Sequence, residues 1–522
     1  SDIATRAQVF FYEGIPTSDI QTMLIKACEH DINPWDISNL RVAAKLLLSD
    51  LRKKVYGEYT PHSILDQIWF GQTIGIYDTE SAYNLLDQYS HQDFEELEDI
   101  IDHSRDELHP YCGLQTLVDK YLCQNRATGQ IYETPQMMYM LIAMTAAIKY
   151  QPNLRIARVK SIYDKLSTGK ANLPTPVAGG MRTPLRQFAS CCLIDIDDTM
   201  PSIGMSDHAA FIYTGARAGL GLNYGRIRRE GSSIRHGEVR HTGIVPFLKK
   251  SSATTKSCTQ NGLRGGGANV NFPLWHYDFK DLVVLKDIKG TEDNRVRTMD
   301  YCFHYNKYLV DRMLDGKVIT FFSPNQVKDL YKAFYSPNID EFAALYEKYE
   351  KDDTVDQWYM DGRAVFTMLV TQMLGTGRIY TLDAYEVNYH TAFYEPIVMT
   401  NLCVEITLPT TPIVDINDVA TTNPYESVGE IALCVLGGIP WGNIELEEMY
   451  DIVYDQLDLL DTIFDMQMYV IKAAEHAKYR RSVGIGVIDY AHFLAKRDLR
   501  YGSPEALNIT HRWMEHMQFC LI

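Results

Sequence analysis

Apolar residues recur at helical spacing through the first third of the chain. In 19–25 and 43–48 they return every three or four positions, and the acidic stretch 93–107 keeps its apolar residues on one face. This spacing predicts amphipathic helices. At Thr134 and Pro135 the order of residues predicts another helix, with the threonine as N-cap and the proline in the first helical position. Residues 1–170 are therefore expected to form a mostly helical scaffold.

The pattern changes at Leu173–Pro174–Thr175–Pro176, where two prolines stop a helix and predict a boundary. Beyond it, short runs rich in β-branched residues alternate with longer helical patterns. The strand candidates are 192–196, 318–322, 431–435 and 483–488. Such alternation predicts an α/β domain with parallel strands. The last stretch, 503–522, reads as an amphipathic helix whose apolar side needs to be covered.

Composition narrows the classes of function. A chain of 522 residues is long enough for two or three domains, and a net charge of −17 disfavours a broad nucleic-acid surface. The most apolar run, Met137 to Ile148, is too short to span a bilayer, so no membrane association is expected. Ten cysteines without metal-binding spacing predict reduced thiols in a cytoplasm, with neither a disulfide framework nor a metal site.

Candidate chemistry lies in Thr400–Glu405. In extended backbone, Asn401, Cys403 and Glu405 would point to the same side. A thiol, an amide and a carboxylate there could remove a hydrogen atom, hold an oxygen and take a hydroxyl proton. Cys191 and Cys434, on two strand candidates, could supply two electrons by closing a disulfide. The alternative is three unrelated, inert packed thiols.

Two glycine-bearing loops add a second kind of chemistry. Residues 223–240 carry five arginines, whose guanidinium groups suit phosphate oxygens, although a solvated basic loop would look the same. They are Arg226, Arg228, Arg229, Arg235 and Arg240. The stretch 258–267 has four glycines and predicts either a mobile loop or an adaptable segment between two ligand sites.

Many short motifs occur along the chain in the order in which one known enzyme family carries them. They include Leu173–Pro176, Met181–Pro184, Arg217–Gly221, Arg295–Tyr301, Thr376–Tyr380, Asn401–Cys403, Gly429–Cys434 and Val483–Gly486. In these motifs, and over almost its whole length, the sequence resembles the large, catalytic subunit of class I ribonucleotide reductases of bacteria and their phages. It resembles an N-terminal portion or a split-chain form of that subunit.

The resemblance implies roles for five residues. Cys403 would become a thiyl radical that abstracts the ribose 3′ hydrogen. Glu405 would take the 3′-hydroxyl proton, and Asn401 would hold the substrate hydroxyls. Cys191 and Cys434 would be oxidised to a disulfide as the 2′-hydroxyl leaves as water.

The resemblance also implies three groups of binding residues. Thr175, Ser190 and Gly219 would contact a nucleoside diphosphate, together with Asn401 and Glu405. The effector site would comprise Asp198, Arg228, Arg235, Cys258 and Arg264, and the loop 258–267 would relay effector identity to the substrate site. Thr17 and Lys53 match the later part of the family's effector cone.

The implied architecture is an N-terminal helical domain followed by the first half of a ten-stranded α/β barrel. Its domains would be a cone remnant at 1–55, a helical domain at 56–172 and the half-barrel at 173–522. ATP and deoxynucleoside triphosphates would be effectors, with no metal in this chain and the radical supplied by a metal-containing small subunit.

Further partners follow from the same resemblance. The chain would associate with a complementary C-terminal chain, form a dimeric large subunit, and be re-reduced by thioredoxin or glutaredoxin in a bacterial or phage-infected cell. Two other functions remain open at this point. One is an allosteric nucleotide-binding protein without turnover. The other is a glycyl-radical lyase, suggested by the adjacent Cys191 and Cys192 but lacking a glycine-radical motif.

Overall fold

The computed structural model describes residues 2–33, 35–80, 82–260, 264–420 and 427–522. The chain forms two compact units. Unit one comprises 1–188, 435–467 and 483–522, and unit two comprises 189–434 and 468–482. Both therefore contain segments that are distant in sequence.

The first 188 residues of unit one are mostly helical, as the spacing of apolar residues predicts. The elements are α1 (Asp2–Gln8), α2 (Thr17–His30), α3 (Ser38–Tyr56), α4 (Ile64–Thr73), α5 (Leu85–Gln88), α6 (His91–Ile100), α7 (Tyr111–Lys120), β1 (Gln124–Asn125), β2 (Gln130–Ile131), α8 (Pro135–Ala147), α9 (Pro152–Ser167) and α10 (Thr175–Gly180).

Two helix predictions in this part need correction in detail. The helix expected over 93–107 ends at Ile100, and a 3₁₀ turn, His103–Leu108, follows it. The helix at Pro135 is confirmed, but the Thr134 hydroxyl makes no capping bond and lies 2.9 Å from the Tyr56 hydroxyl instead. The double-proline stretch also starts a short helix, α10, with proline near its N-terminus.

Unit two alternates strands and helices. Its elements up to the point where the chain returns to unit one are β3 (Cys191–Asp195), α11 (Met200–Gly215), β4 (Gly219–Asn223), β5 (Ser233–Ile234), β6 (Val239–Arg240), α12 (Val245–Lys256), β7 (Thr259–Gln260), β8 (Arg264–Gly265), β9 (Ala268–Pro273), α13 (Phe279–Leu282), β10 (Asp300–Tyr305), α14 (Lys307–Leu314), β11 (Val318–Phe322), α15 (Lys328–Phe334), α16 (Ile339–Tyr349), β12 (Gln357–Asp361), α17 (Gly362–Thr376), β13 (Ile379–Asp383), α18 (Ala384–His390) and β14 (Ala432–Pro440).

The main sheet of unit two has the order β13–β10–β9–β4–β3–β14. The first five strands are parallel, and β14 runs antiparallel to β3. Every residue of β3, β4 and β9 is buried, as expected for parallel strands covered on both faces. The predicted helical domain followed by an α/β sheet is confirmed. The strand predicted at 318–322 exists as β11, but it pairs with β12 in a separate two-stranded antiparallel sheet, and Phe322 forms an isolated bridge with His276.

The chain closes with α19 (Met449–Met466), α20 (Ala477–Arg480), β15 (Val483–Ile488), α21 (Tyr490–Ala495) and α22 (Pro504–Leu521). Within unit one, the second part of β14 runs parallel to β15.

The apolar side of α22 is partly covered within unit one. Trp513 and Met517 are buried in a cluster with Trp441 and Phe493, and the rings of Trp441 and Trp513 lie 5.2 Å apart. Leu507, Met514 and Phe519 stay exposed. In the described part of the chain, no helix is long and apolar enough to cross a membrane.

Candidate active site

Strands β3 and β14 bring two cysteines face to face. Cys191 is the register partner of Cys434 across this antiparallel pair, and both side chains are buried. Facing residues on antiparallel strands have Cα atoms about 4.5–5.5 Å apart. That separation lies inside the range of about 4.4–6.8 Å found for disulfides. The adjacent Cys192 points to the opposite face of β3, as strand alternation requires.

The segment Thr400–Glu405 is a tight loop, so the expectation of extended backbone there was wrong. The amide of Val404 donates to the carbonyl of Asn401 at 3.4 Å, and the Asn401 side-chain oxygen accepts from the amide of Ile406 at 3.0 Å. Val404 has a φ of 67°, a left-handed conformation that a β-branched residue adopts only under strain. An asparagine side chain that closes a turn on its own backbone explains the bend.

The loop nevertheless gathers the predicted chemical groups around Cys191. The Asn401 amide nitrogen donates to Cys191 Sγ at 3.1 Å, and Glu405 Oε1 lies 3.9 Å from the same sulfur. Burial, together with the nearby charge of Glu405, raises the pKa of the Cys191 thiol to about 12, although its hydrogen bonds to Ser190 and Asn401 oppose the rise. Cys191 is therefore a protonated thiol at neutral pH. Cys403 is exposed on the loop.

Glycines in β4 allow the loop to lie this close to the sheet. A side chain at Gly221 would overlap the carbonyl oxygen of Thr400, and a Cβ at Gly219 would lie 2.8 Å from Leu402 Cδ2. Both glycines are needed because backbone and side chain of the loop occupy the space of their missing Cβ atoms. Gly219 also donates its amide to the carbonyl of Ser190 at 2.9 Å.

Two asparagines behind the loop were not predicted. Asn269 and Asn271 lie on β9, are fully buried, and donate to the carbonyls of Asn401 at 3.1 Å and Thr400 at 3.2 Å. Their only signal in the sequence is two amides, two positions apart, in an otherwise apolar strand.

Comparison with known proteins decides the family. Residues 189–522 match the model of the family "Ribonucleotide reductase, barrel domain", and residues 107–186 match "Ribonucleotide reductase, all-alpha domain". The chain belongs to the ribonucleotide reductase large-subunit family.

Curated members of this family align with the chain along its length. The ribonucleoside-diphosphate reductase subunit alpha of Haemophilus influenzae is 41% identical over 527 residues, which cover 100% of this chain and 68% of that protein. Subunit alpha of reductase 1 from Escherichia coli K12 is 41% identical, with the same coverage. Subunit alpha of Enterobacteria phage T4 is 39% identical over 98% of this chain and 66% of its own length. These alignments give no support to the complementary chain that the sequence led us to expect.

Two of the reductase's candidate effector residues are in contact in unit two. Arg228 Nε donates to Asp198 Oδ2 at 2.7 Å, and its backbone amide donates to Oδ1 at 3.2 Å. Burial raises the pKa of the Asp198 carboxyl, and the Arg228 guanidinium opposes that rise. The pair lies between the end of β3 and the basic loop that follows β4.

Two of the five arginines of the basic loop are paired with carboxylates. Arg226 forms a bidentate pair with the buried Asp195, and Arg229 donates to Asp356 at 2.9 Å. Both guanidinium groups are therefore occupied by carboxylates. Arg235 is exposed in the turn between β5 and β6.

The glycine-rich stretch 258–267 forms a short hairpin, β7–β8, at its described positions. Cys258 is half-buried at its start. Residues 261–263, including Gly262, and the side chain of Arg264 lie outside the described residues. Gly267 follows the hairpin, and a Cβ there would lie 3.3 Å from Leu402 Cδ2. The segment thus reaches the Cys403 loop.

The remaining predicted residues occupy separate places. Ser190 Oγ lies 3.8 Å from Cys191 Sγ. Thr175, in unit one, begins α10 and has its hydroxyl 3.4 Å from that of Tyr121. Thr17 begins α2 and Lys53 lies in the last turn of α3, both exposed in unit one. Within the described ranges, no group of three or more metal-ligating side chains occurs.

Proposed function

We propose that this chain is a catalytic subunit of a ribonucleoside-diphosphate reductase and converts ribonucleotides to deoxyribonucleotides by thiyl-radical chemistry. The observation that carries the proposal is the pairing of Cys191 with Cys434 in register, beside Asn401 and Glu405. Two thiols placed for disulfide closure next to an amide and a carboxylate match the demands of a reductive dehydration. The full-length alignment with curated reductase subunits supports the same conclusion.

The first half of the reaction removes hydrogen and water from the ribose. A Cys403 thiyl radical takes the C3′ hydrogen atom and becomes a thiol, leaving a carbon radical at C3′. Glu405 accepts the 3′-hydroxyl proton. The C2′–oxygen bond then breaks, and the 2′-hydroxyl leaves as water after receiving a proton from Cys191. The raised pKa of Cys191 keeps that proton on the sulfur until this step.

The second half supplies the electrons. Cys191 and Cys434 together give up two electrons and two protons, and a sulfur–sulfur bond forms between them. One of those protons leaves with the water, and C2′ gains the hydrogen. The Cys403 thiol then returns a hydrogen atom to C3′, which regenerates the thiyl radical, and Glu405 returns its proton to the 3′ oxygen. The net change is one ribonucleotide and two thiols to one deoxyribonucleotide, water and one disulfide.

Substrate and effector sites are part of the proposal. The substrate would be held by Asn401 and Glu405 together with Thr175, Ser190 and Gly219. Effector triphosphates, ATP or deoxynucleotides, would bind at Asp198, Arg228, Arg235, Cys258 and Arg264, because Asp198 suits ribose hydroxyls and arginine suits phosphate. A second effector site would retain Thr17 and Lys53 within 1–55, ahead of a helical domain at 56–172 and the barrel region at 173–522.

Partners complete the proposed enzyme. A metal-containing small subunit would generate the radical, a second large subunit would form a dimer, and thioredoxin or glutaredoxin would reduce the Cys191–Cys434 disulfide. The assembly would act in a bacterial or phage-infected cytoplasm.

Replacing Cys403 tests the proposal directly. In the complex recovered with its partners from the native host, Cys403→Ser should reduce ribonucleoside diphosphate at less than about one thousandth of the normal rate, since serine forms no accessible oxygen radical in place of the thiyl. Effector binding, measured by titration, should stay unchanged. Cys112→Ser is the matched control, because Cys112 is also an exposed cysteine but lies in unit one. Turnover by Cys403→Ser would contradict the role given to Cys403.

A further inference from the structure

A chain of buried hydrogen bonds lies behind the Cys403 loop. The Asn271 side chain makes four of them: Nδ2 lies 3.3 Å from the carbonyl of Leu222 and 3.2 Å from that of Thr400. Its Oδ1 lies 3.2 Å from the amide nitrogen of Thr400 and 2.9 Å from His304 Nε2. Asn271 therefore holds both the amide and the carbonyl of one loop residue.

The direction of each bond is fixed by its partners. Two carbonyls can only accept, so the nitrogen of Asn271 faces them; the Thr400 amide can only donate, so the oxygen faces it. His304 Nε2 must then carry the hydrogen, and Nδ1 accepts from the Tyr335 hydroxyl at 3.0 Å. Burial lowers the pKa of His304 to about 3, which keeps the ring neutral and able to hold this one tautomer.

His304 disfavours a rotation that would undo this arrangement. If the Asn271 amide turned by half a revolution, its NH₂ group would face the Thr400 amide and the His304 Nε2 hydrogen, while its oxygen would face two carbonyls. Donor would meet donor and acceptor would meet acceptor in a buried place, where unmade hydrogen bonds are most unfavourable. His304 adds one of these conflicts and so favours the observed orientation.

We propose that Asn271, oriented by His304, is a positioning residue that holds the Thr400–Glu405 backbone where Asn401 and Cys403 can act on the substrate. The inference rests on the proposed function, because it assigns these two residues their catalytic roles. A loop strained at Val404 needs such a restraint. Reaction rates fall steeply with misplacement, about 100-fold for an error of about 1 Å.

Asn269 supports the same loop from two positions earlier on β9. Its Nδ2 donates to the carbonyl of Asn401, while its own Oδ1 is buried without a hydrogen-bond partner among the described residues. An unpaired buried amide oxygen is unfavourable, and an apolar residue there would avoid it. The bond to Asn401 offsets that disadvantage.

The test compares two replacements of His304. His304→Phe keeps an aromatic ring at this position but loses the N–H group that donates to Asn271. His304→Gln can place an amide nitrogen near the position of Nε2. We expect His304→Phe to speed hydrogen exchange of the Thr400 amide about tenfold and to lower kcat of the complete enzyme about tenfold, with KM unchanged. His304→Gln should restore both to within about threefold of the original chain.

Tyr301→Phe is the control. It removes one buried hydrogen bond on the same strand, from the Tyr301 hydroxyl to the carbonyl of Val296 at 2.6 Å, and leaves the loop contacts intact. The proposal is overturned if His304→Phe and Tyr301→Phe have equal exchange rates at Thr400, or if His304→Gln behaves like His304→Phe.

A second variant covers the case in which His304→Phe does not fold. Asn271→Asp keeps the shape and the acceptor but loses the donor to Thr400, so it should raise exchange at that amide by a similar factor; unchanged exchange would equally overturn the proposal. Hydrogen exchange at the Thr400 amide is measured on the protein without substrate or catalysis. A failure of the proposed function would therefore show itself separately, as activity in Cys403→Ser while the exchange results stand.

Discussion

At the scale of single residues, the position of Cys191 determines its reactivity. It is buried against β14, accepts a hydrogen bond from Asn401, and lies 3.9 Å from a carboxylate oxygen of Glu405. Burial and negative charge both disfavour the thiolate, which is the nucleophilic form of cysteine. Cys191 should therefore react slowly with external alkylating reagents.

The first prediction concerns that facing pair. Mild oxidation of the reduced chain with diamide should remove two titratable thiols, and peptide mass spectrometry should find Cys191 linked to Cys434, because register holds the pair within disulfide distance. Cys191→Ser should abolish the loss. Cys192→Ser should not, because Cys192 points to the other face of β3. A different partner for Cys191 would contradict the pairing.

At the scale of elements, the Cys403 loop depends on the strand beneath it. The carbonyl of Thr400 occupies the space beside Gly221, and Leu402 packs over Gly219 and Gly267. Among the strands of the described residues, none pairs with this loop. Its shape comes from close contacts with β4 and from the asparagines of β9.

The second prediction tests this dependence with a single methyl group. Gly221→Ala should push the loop away from β4, lower kcat at least about tenfold, and reduce the free energy of unfolding by about 1–3 kcal/mol, as overpacking does. Kinetics of the complete enzyme and denaturant unfolding measure the two effects. Gly375→Ala is the control, since a Cβ at Gly375 in α17 meets nothing within 4 Å. Full activity of Gly221→Ala would exclude the close contact as a determinant of the loop.

The same loop shows where sequence reasoning reached its limit. The strands at Cys191 and Val483 were predicted because short runs of β-branched and apolar residues favour extended backbone whatever their surroundings. Thr400–Glu405 has the alternation of a strand, and only contacts with Gly219 and Gly221, far away in sequence, turn it into a loop. The ion pairs of Arg226 and Arg229 were missed for the same reason, since their carboxylate partners are distant in sequence and leave no local pattern.

At the scale of the whole molecule, the two units combine segments that sequence order separates. Residues 435–467 and 483–522 belong to the same compact unit as the N-terminal helices. The α/β character of the barrel region was predictable from alternating elements, and the family from ordered motifs. The position of α19 and α22 in unit one could not be predicted, because it depends on tertiary packing such as that between Trp441 and Trp513.

The third prediction concerns acid stability. Burial lowers the pKa of His276 to about 4 and that of His304 to about 3, below the ordinary value of 6.5. Below pH 6.5 the unfolded chain takes up protons that the folded chain does not bind, so stability present above that pH is lost as pH falls toward 4. The loss should be about 1 kcal/mol per histidine per pH unit.

Urea unfolding of the chain at pH 7.0, 6.0 and 5.0 measures this loss as a falling midpoint. His304→Gln should flatten the dependence, because glutamine does not titrate, whereas replacement of the exposed His91 by glutamine should leave it unchanged. An equal pH dependence in His304→Gln and in the original chain would show that His304 is not the buried neutral group described above.

The register of β3 against β14 has one more consequence. Two sulfurs held opposite each other by a hydrogen-bonded sheet have a high effective concentration, so their oxidised form is reached with little loss of chain entropy. The same preorganisation lowers the reduction potential of the pair and makes the oxidised state hard to reverse. In the proposed reaction, recovery after each turnover would therefore require a strongly reducing dithiol that can gain access to a buried bond.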